Sequence, residues 1–148
     1  MKGQHMVHSF QVTFDSHEPT THAAFWANAL GYEEQPPPPD FPSWEDWARA
    51  FGIPEDEWGD TAAIVDPDGS GPRMLFLRVP EPKTAKNRMH LDINIATRGS
   101  TPQERRIQVD VEVARLLSLG ATKVSSFDED KGVWTVMLDP EGNEFCVH

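Results

Sequence analysis

The chain has 148 residues and is 38% hydrophobic, which suits a single domain, and no apolar run reaches the roughly 20 residues that a transmembrane helix needs. Its formal net charge of -11 would repel nucleic-acid phosphates, and its basic residues do not gather into a stripe, so we expect neither nucleic-acid nor membrane binding. The single cysteine, Cys146, cannot pair within the chain, and the N-terminus lacks a signal-peptide pattern; both observations predict a cytoplasmic protein.

The first half of the chain predicts one strand, one helix and three further strands. Residues 8–15 alternate between apolar and polar side chains, with Phe10 among the apolar ones, which is the period of a half-buried strand. Apolar residues at near-helical spacing predict a helix over residues 19–30 that stops at Gly31. The remaining strands are predicted at residues 32–35, 61–65 and 73–79, with the turn Asp-Pro-Asp-Gly at 66–69.

Residues 36–60 are predicted to be an insertion between these strands. It begins with four consecutive prolines, which lack the N–H donors that a sheet requires. Ser43 is positioned to cap a short helix that carries Trp44 and Trp47. These tryptophans either pack into a small core of the insertion or form a lid whose rings line a ligand pocket, and we predict pocket positions for both.

The second half repeats the same order of elements. Residues 89–95 alternate as a strand, and Thr101-Pro102-Gln103-Glu104 has the pattern of a capping box with proline in the first turn. The helix that follows is predicted to run to Leu119 and to stop at Gly120. Its predicted core-facing stripe comprises Ile107, Val111, Ala114, Leu117 and Ser118. Strands are predicted at residues 121–127, 134–138 and 144–147, with the turn Asp-Pro-Glu-Gly at 139–142.

The two halves share their order and their turns, which indicates a duplicated unit. The sequences AFW at residues 24–26 and LGY at 30–32, together with Asp-Pro-(Asp/Glu)-Gly before the last strand of each half, resemble the vicinal-oxygen-chelate superfamily. That superfamily includes glyoxalases, bleomycin-resistance proteins and extradiol dioxygenases. Residues 80–92 and 139–147 are similar to its glyoxalase-like subgroup.

The resemblance implies an α+β fold of two tandem βαβββ modules whose curved mixed sheets surround a cavity. We therefore expect a single domain over residues 8–148, with module one at 8–79, module two at 87–148 and the insertion at 36–60. Residues 1–7 are expected to lie outside the fold, as a disordered segment or a remnant of expression.

The resemblance also implies metal ligands on the first and last strands of each module. Gln11 and His90 occupy the first strands, but residues 74–77 on the last strand of module one are all apolar. In module two, Cys146 stands where metal-dependent relatives usually carry a glutamate, and His148 shares its strand parity at a chain end that commonly frays. Because at most two or three ligands remain, we expect no bound metal and no cofactor, with a divalent metal as the alternative.

His90 and Glu144 are the candidate catalytic residues. His90 stands on a polar face with Asp92, where an imidazole either ligates metal, transfers a proton or is simply a hydrogen-bonded structural group. Glu144 is either a general acid or base of the cavity or the partner of an arginine across the sheet. Gln11, Asp92 and Cys146 are expected to line the ligand pocket together with the two tryptophans of the insertion.

Two functions are compatible with these residues. The chain either binds a small organic molecule in the cavity without the usual metal site, or it is a metal-dependent lyase, isomerase or dioxygenase that uses His90 and Glu144. The incomplete ligand set favours binding, so we expect a small-molecule ligand as the partner. The resemblance and the acidic, aromatic insertion together predict a homodimer.

Overall fold

The computed structural model describes residues 7–148, and the prediction for residues 1–7 therefore falls, apart from Val7, outside the described part. The N-terminal half contains β1 (Val12–Ser16), α1 (Pro19–Leu30), β2 (Glu33–Glu34), α2 (Trp44–Ala50), β3 (Thr61–Val65) and β4 (Met74–Arg78). The C-terminal half contains β5 (Asp92–Ile93), α3 (Pro102–Ser118), β6 (Thr122–Glu129), β7 (Gly132–Leu138) and β8 (Glu144–Val147). A short 3-10 helix, Glu55–Glu57, follows α2.

Each half of the chain forms one four-stranded mixed sheet. The N-terminal sheet has the order β1-β4-β3-β2, and the C-terminal sheet has the order β5-β8-β7-β6. In both sheets the first strand pairs parallel with the last, and the other pairs are antiparallel. The predicted α+β class, with a strand, a helix and three strands in each half, is confirmed.

Helix α1 joins the two sheets into one core. It has the predicted bounds, and Gly31 ends it with a left-handed φ of +74°. Phe25 and Trp26 are buried on its inner side, and both rings also reach Phe145 of the C-terminal sheet, at centroid distances of 6.1 and 5.1 Å. Residues of both halves therefore belong to a single hydrophobic cluster.

Helix α3 begins with the predicted capping box of Thr101 and Glu104, but it packs through a different face from the predicted one. It buries Val109, Val113 and Leu116 against the C-terminal sheet. The predicted stripe, comprising Ile107, Val111, Ala114, Leu117 and Ser118, is exposed instead. The sequence carries two apolar stripes on this helix, and helical periodicity alone does not say which one meets the sheet. Among the described residues no helix is both long and apolar enough to cross a bilayer.

The first strand of each sheet is shorter than its alternation predicts. Strand β1 begins at Val12 because its parallel partner β4 begins at Met74, directly opposite. Phe10 therefore lies before the sheet and is 73% exposed, so its predicted place on the core face is wrong. Strand β5 is likewise reduced to two residues, and Met89, which alternation placed on the core face, is exposed.

A buried carboxylate, that of Asp139, connects the turn after β7 to α1. Its Oδ2 accepts hydrogen bonds from His22 Nε2 at 2.6 Å and from Trp26 Nε1 at 2.9 Å. Its Oδ1 accepts the backbone N–H groups of Glu141 and Asn143, both at 2.9 Å. His22 Nδ1 lies 3.0 Å from Ser16 Oγ at the end of β1, so the chain of contacts runs from one sheet to the other.

The same turn also caps the start of α1. The residue before the helix, Glu18, makes no side-chain capping bond, and the carboxylate of Glu141 instead accepts the N–H groups of His17 and Glu18. A negative group at a helix N-terminus is stabilised by the free N–H groups and by the helix dipole. The Asp-Pro-Glu-Gly turn thus holds α1 at two points.

Burial by itself would raise the pKa of Asp139, but the hydrogen bond and charge of His22, together with the bonds from Asn143 and Trp26, outweigh it. The pKa of this carboxyl is consequently held below its ordinary value of 3.8. Because the folded state binds the proton less tightly, the stabilisation is fully present above the unfolded pKa. It is lost as the pH falls through the folded pKa.

We predict that Asp139→Asn lowers the free energy of unfolding at pH 7 by about 3 kcal/mol, because it leaves the buried donors of His22 and Trp26 facing an amide. The difference from the unsubstituted chain should shrink as the pH falls below about 4. Urea unfolding followed by circular dichroism between pH 2.5 and 7 measures both effects.

The matched control is Asp68→Asn, which changes an exposed aspartate in the corresponding turn of the first half. We expect its stability to stay within about 0.5 kcal/mol of the original chain. Equal losses for the two variants, or a constant loss at every pH, would contradict the role given to Asp139.

Candidate functional site

The candidate site lies on the face of the C-terminal sheet that points away from α3. Phe145 and Val147 of β8 are fully buried beneath the helix, so the alternate residues Glu144, Cys146 and His148 point to the other side. We call this side the open face. A pocket of about 350 Å³ lies on it. Its walls are formed by Lys86, His90, Asp92, Phe127, Trp134, Val136, Glu144, Cys146 and His148.

Strand pairing brings three metal-ligating side chains together in this pocket. Asp92 and Cys146 are direct partners in the parallel pair of β5 and β8, and His90 precedes Asp92 by two residues on the same face. His90 Nδ1 lies 3.1 Å from Asp92 Oδ1, and ligand atoms of His90, Asp92 and Cys146 all fall within 4.8 Å of one another. His148 Nε2 approaches the same Asp92 oxygen at 3.6 Å.

The donor set fits a metal ion of one kind only. Imidazole, thiolate and carboxylate together are ligands that suit zinc and similar ions, whereas magnesium and manganese prefer sites rich in oxygen. The positions on β4 that the family resemblance assigns to ligands are Met74, Leu75, Phe76 and Leu77, which offer none. An ion on this face would therefore be held by residues of the C-terminal half alone.

The thiol of Cys146 is kept protonated by its surroundings. Burial raises its pKa above the ordinary value of 9.0, and the negative charge and hydrogen bond of Asp92 raise it further. A thiol in this state is a poor nucleophile at neutral pH.

An aromatic wall forms the other side of the pocket. Phe127 and Trp134 stack with centroids 5.1 Å apart and an interplanar angle of 16°. Trp134 and His148 follow at 6.3 Å and 20°. The three rings come from β6, β7 and the end of β8, and they stack in a row with Trp134 in the middle, so that the row forms an apolar wall beside the polar cluster.

Glu144 lies in the pocket with its carboxylate engaged by the segment that connects the two sheets. Lys83 Nζ is 3.0 Å from Glu144 Oε2, and the same oxygen accepts the N–H of Asn87 at 3.0 Å. Burial raises the pKa of this carboxyl, but the bonds from Asn87 and Lys83 outweigh it and lower the pKa below its ordinary value. Its partner is thus a lysine of the connecting segment, where the sequence-based alternative was an arginine across the sheet.

The other predicted pocket residues lie apart from this cluster. Gln11 accepts a hydrogen bond from Arg73 Nη1 at 3.0 Å and is not among the residues of this pocket. Trp44 donates to the carbonyl of Gln35, and its ring meets Trp47 edge-on at 5.4 Å. Trp47 in turn contacts Phe51, so the rings of the insertion pack on one another.

A second cavity, of about 510 Å³, lies between β1 and residues 79–91. Phe14 and Trp26 form part of its wall, and His90 and Glu144 line both cavities. These two side chains therefore stand at the boundary between the pocket on the open face and the cleft between the sheets.

Ser16, His22 and Asp139 form a series that looks like a hydrolytic triad. Their side chains are joined by the contacts described above, but the three residues are 1%, 0% and 3% exposed. A substrate cannot reach Ser16, so the series is a structural connection between the sheets.

Sequence reasoning missed Phe127, Trp134 and Lys86 as pocket residues. The signal for Trp134 was present, because Val133, Thr135 and Met137 form the buried face of β7 and leave Trp134 and Val136 on the other. Which of these residues meets Cys146 depends on the register of β7 with β8, which pairs Val136 with Cys146. The pairing register of two strands is set by tertiary packing and cannot be predicted from the sequence of either strand alone.

A model of the family described as "Glyoxalase-like domain" matches residues 11–148. None of the curated proteins compared with the chain matches it.

Solved structures resemble it throughout its length. A glyoxalase/bleomycin resistance protein/dioxygenase family enzyme from Burkholderia phytofirmans is 16% identical with a TM-score of 0.58, covering 93% of this chain and 94% of that one. A possible glyoxalase from Bacillus cereus is 13% identical with a TM-score of 0.59, covering 96% and 98%. A variant of the fosfomycin resistance protein FosX from Listeria monocytogenes, complexed with Mn(II) and 1S,2S-dihydroxypropylphosphonic acid, is 14% identical with a TM-score of 0.59, covering 97% and 90%. At identities this low, the likeness shows a shared fold and nothing more.

We predict that iodoacetamide alkylates Cys146 slowly in the folded, EDTA-treated protein, because little thiolate is present. The rate should keep rising with pH beyond the point where the thiol of the unfolded chain is fully ionised. Asp92→Asn should shift the profile to lower pH, because it removes the nearby negative charge. Mass spectrometry of the single cysteine measures the rate.

The urea-unfolded chain is the control, since its cysteine has the same sequence neighbours and none of the folded surroundings. Coincident pH profiles for the folded and unfolded chains would show that the environment assigned to Cys146 is wrong.

Proposed function

This chain belongs to the glyoxalase-like domain family, and from that premise we propose that it binds a small, flat organic molecule in the pocket on the open face of its C-terminal sheet. The observation that carries the proposal is the row of near-parallel rings of Phe127, Trp134 and His148 beside a polar cluster. Ligand sites in proteins commonly combine an apolar wall with a few convergent polar groups.

In this proposal the aromatic wall contacts the apolar part of the ligand, and the polar cluster binds its polar groups. A planar ring that packs against the edge of Trp134 gains aromatic contact energy, on the order of 0.5–1.5 kcal/mol beyond the burial of its area. His90 and Asp92 offer a donor and an acceptor at its edge, and both are exposed enough to meet a ligand. In this proposal His90 and Glu144 act as hydrogen-bonding or proton-transfer groups toward the bound molecule.

The proposed binding does not use the metal site that the family resemblance implies, because β4 supplies apolar side chains at the ligand positions. The alternative, a metal-dependent lyase, isomerase or dioxygenase that uses His90 and Glu144, has less support. Glu144 already binds Lys83 and the N–H of Asn87, so a metal would compete with both partners.

We also propose that the protein is a homodimer. The side of the N-terminal sheet that points away from α1 carries Leu75 and Leu77, and the latter is 36% exposed. Phe51 of the insertion is 65% exposed. Apolar groups of this kind are typical of the centre of an interface between subunits.

We predict that Trp134→Ala weakens binding of a planar ligand by roughly tenfold, the equivalent of 1.4 kcal/mol in lost aromatic contact. A mixture of small aromatic and aliphatic acids, amines and phenols, equilibrated with the protein by dialysis and analysed by mass spectrometry, identifies the compounds retained. Trp134→Phe keeps a ring at this position and should restore most of the affinity.

Trp44→Ala is the matched control, because it removes an indole outside this pocket. A retained compound whose affinity falls equally for Trp44→Ala and Trp134→Ala would contradict the proposed location. Retention of aliphatic compounds alone would contradict the proposed flat ligand.

The dimer prediction is tested separately by light scattering coupled to gel filtration. At micromolar concentration the mass should be twice the 16.6 kDa of the chain. Leu77→Glu should shift it toward the single-chain mass, because a charge at the centre of an interface is costly to desolvate. A single-chain mass for the unsubstituted protein would refute the dimer.

A further inference from the structure

We propose that the pocket on the open face selects planar molecules that carry a negative charge at one edge, such as aromatic carboxylates, and that Lys86 binds this charge. The inference rests on the function proposed above, because it names the chemical class of the flat ligand. Lys86 belongs to the segment that connects the two sheets, and it forms part of the pocket wall.

The residues on either side of Lys86 are anchored to β8. Asn87 N donates to Glu144 Oε2 at 3.0 Å, and Asn87 Nδ2 donates to the backbone carbonyl of Glu144 at 3.2 Å. Lys83 Nζ lies 3.0 Å from the same carboxylate and donates to the carbonyl of Ala85 at 2.6 Å. These contacts hold the segment beside the pocket, while the flexible four-carbon stem of Lys86 lets its ammonium move to meet a ligand.

The two carboxylates of the pocket already have partners. The connecting segment binds Glu144 through the contacts just given. Asp92 Oδ1 lies 3.1 Å from His90 Nδ1 and 3.6 Å from His148 Nε2. A ligand that entered as a cation would therefore have to compete with these groups for both carboxylates.

The ammonium of Lys86 differs from these groups. Within residues 7–148 it has neither an ion-pair nor a hydrogen-bond partner. Its charge nevertheless acts on the pocket: burial and Asp92 raise the pKa of the Cys146 thiol, and the positive charge of Lys86 opposes them. The charge that remains without a partner at this pocket is thus positive, although the chain as a whole has a net charge of -11.

The order of the strands indicates the length of the ligand. The C-terminal sheet has the order β5-β8-β7-β6, with Lys86 before β5 and Trp134 on β7. Two strand spacings, roughly 10 Å, separate β5 from β7. A two-ring aromatic acid spans this distance, so its rings can contact the edge of Trp134 while its carboxylate forms a charge-assisted hydrogen bond with Lys86.

Three probes of similar shape and different charge test this inference. They are the anion 2-naphthoate, the neutral 2-naphthamide and the cation 2-naphthylmethylamine. Equilibrium dialysis against the full-length protein at neutral pH, in the presence of EDTA, measures the affinity of each. We expect naphthoate to bind roughly fivefold more tightly than the amide, and the amide to bind more tightly than the amine.

Substitution of Lys86 should change this preference. Lys86→Gln should weaken binding of naphthoate by about fivefold and change the affinity for the amide by less than about twofold. Lys86→Glu should reverse the order, so that the amine binds more tightly than naphthoate. The difference between the original chain and Lys86→Gln should narrow at high KCl concentration, because salt screens charge pairs near the surface.

Lys131→Gln is the matched control, since it removes an exposed lysine that lies outside the pocket. It should leave all three affinities unchanged. Circular dichroism confirms that each variant is folded.

The outcomes separate this inference from the function on which it rests. Equal affinities for the three probes, or equal weakening of naphthoate and naphthamide by Lys86→Gln, would overturn the inference. The flat-ligand proposal would stand in that case if Trp134→Ala still weakened binding of each probe, and it would fall if Trp134→Ala had no effect.

The dialysis of mixed compounds described above decides the case in which no naphthyl probe binds. Retention of aromatic acids whose affinity falls with Lys86→Gln would support the inference, and retention of amines or neutral compounds alone would overturn it. Retention of no compound at all would overturn both proposals.

Discussion

The buried carboxylate of Asp139 is the interaction on which the arrangement of this molecule depends. It is bound from one side by His22 and Trp26 of α1 and from the other by N–H groups of its own turn. The turn joins β7 to β8, which carry Trp134, Cys146 and His148. Because α1 packs on the N-terminal sheet, this one carboxylate also fixes that sheet relative to the strands of the candidate site. A buried charge left without partners at this depth would be strongly destabilising, so these contacts matter to the stability of the fold.

The two halves of the chain use similar sequences differently. Asp66 opens the corresponding turn of the first half, but among the described residues its carboxylate accepts N–H groups of its own loop alone, from Asp68, Ser70 and Gly71. Helices α1 and α3 also differ at the position that contacts this turn. His22 lies nine residues before the terminal Gly31, and the residue nine before Gly120 is Val111, which is exposed. Duplication therefore preserved the order of elements while only the second turn became a buried contact between the halves.

The sequence predicted those parts of the fold that local chemistry determines. The bounds of α1, β3 and β8 and the capping box of α3 agree with prediction, because proline, glycine and capping residues act on their immediate neighbours. The buried face of α3, the exposure of Phe10 and the pocket position of Trp134 were not predictable in this way. Each depends on which strand lies opposite, and that is set by register and packing between distant segments. In the site, His90, Asp92 and Cys146 were foreseen singly, whereas their convergence required the parallel pairing of β5 with β8.

The two faces of strand β8 have different roles: one packs in the core and the other carries the residues of the candidate site. Phe145 and Val147 are completely buried in the hydrophobic core, where Phe145 packs against α1. Cys146 and His148 lie on the open face and contribute little to the core. Since successive side chains of a strand point to opposite sides, a change on the open face leaves the buried residues in place. A cysteine can therefore replace another ligand type at this position with little loss of core packing. Asp139 and the buried face fix the register of β8, and this register places the side chain at position 146 opposite Asp92. The fold thus sets where this side chain lies, but it does not set which residue occupies the position.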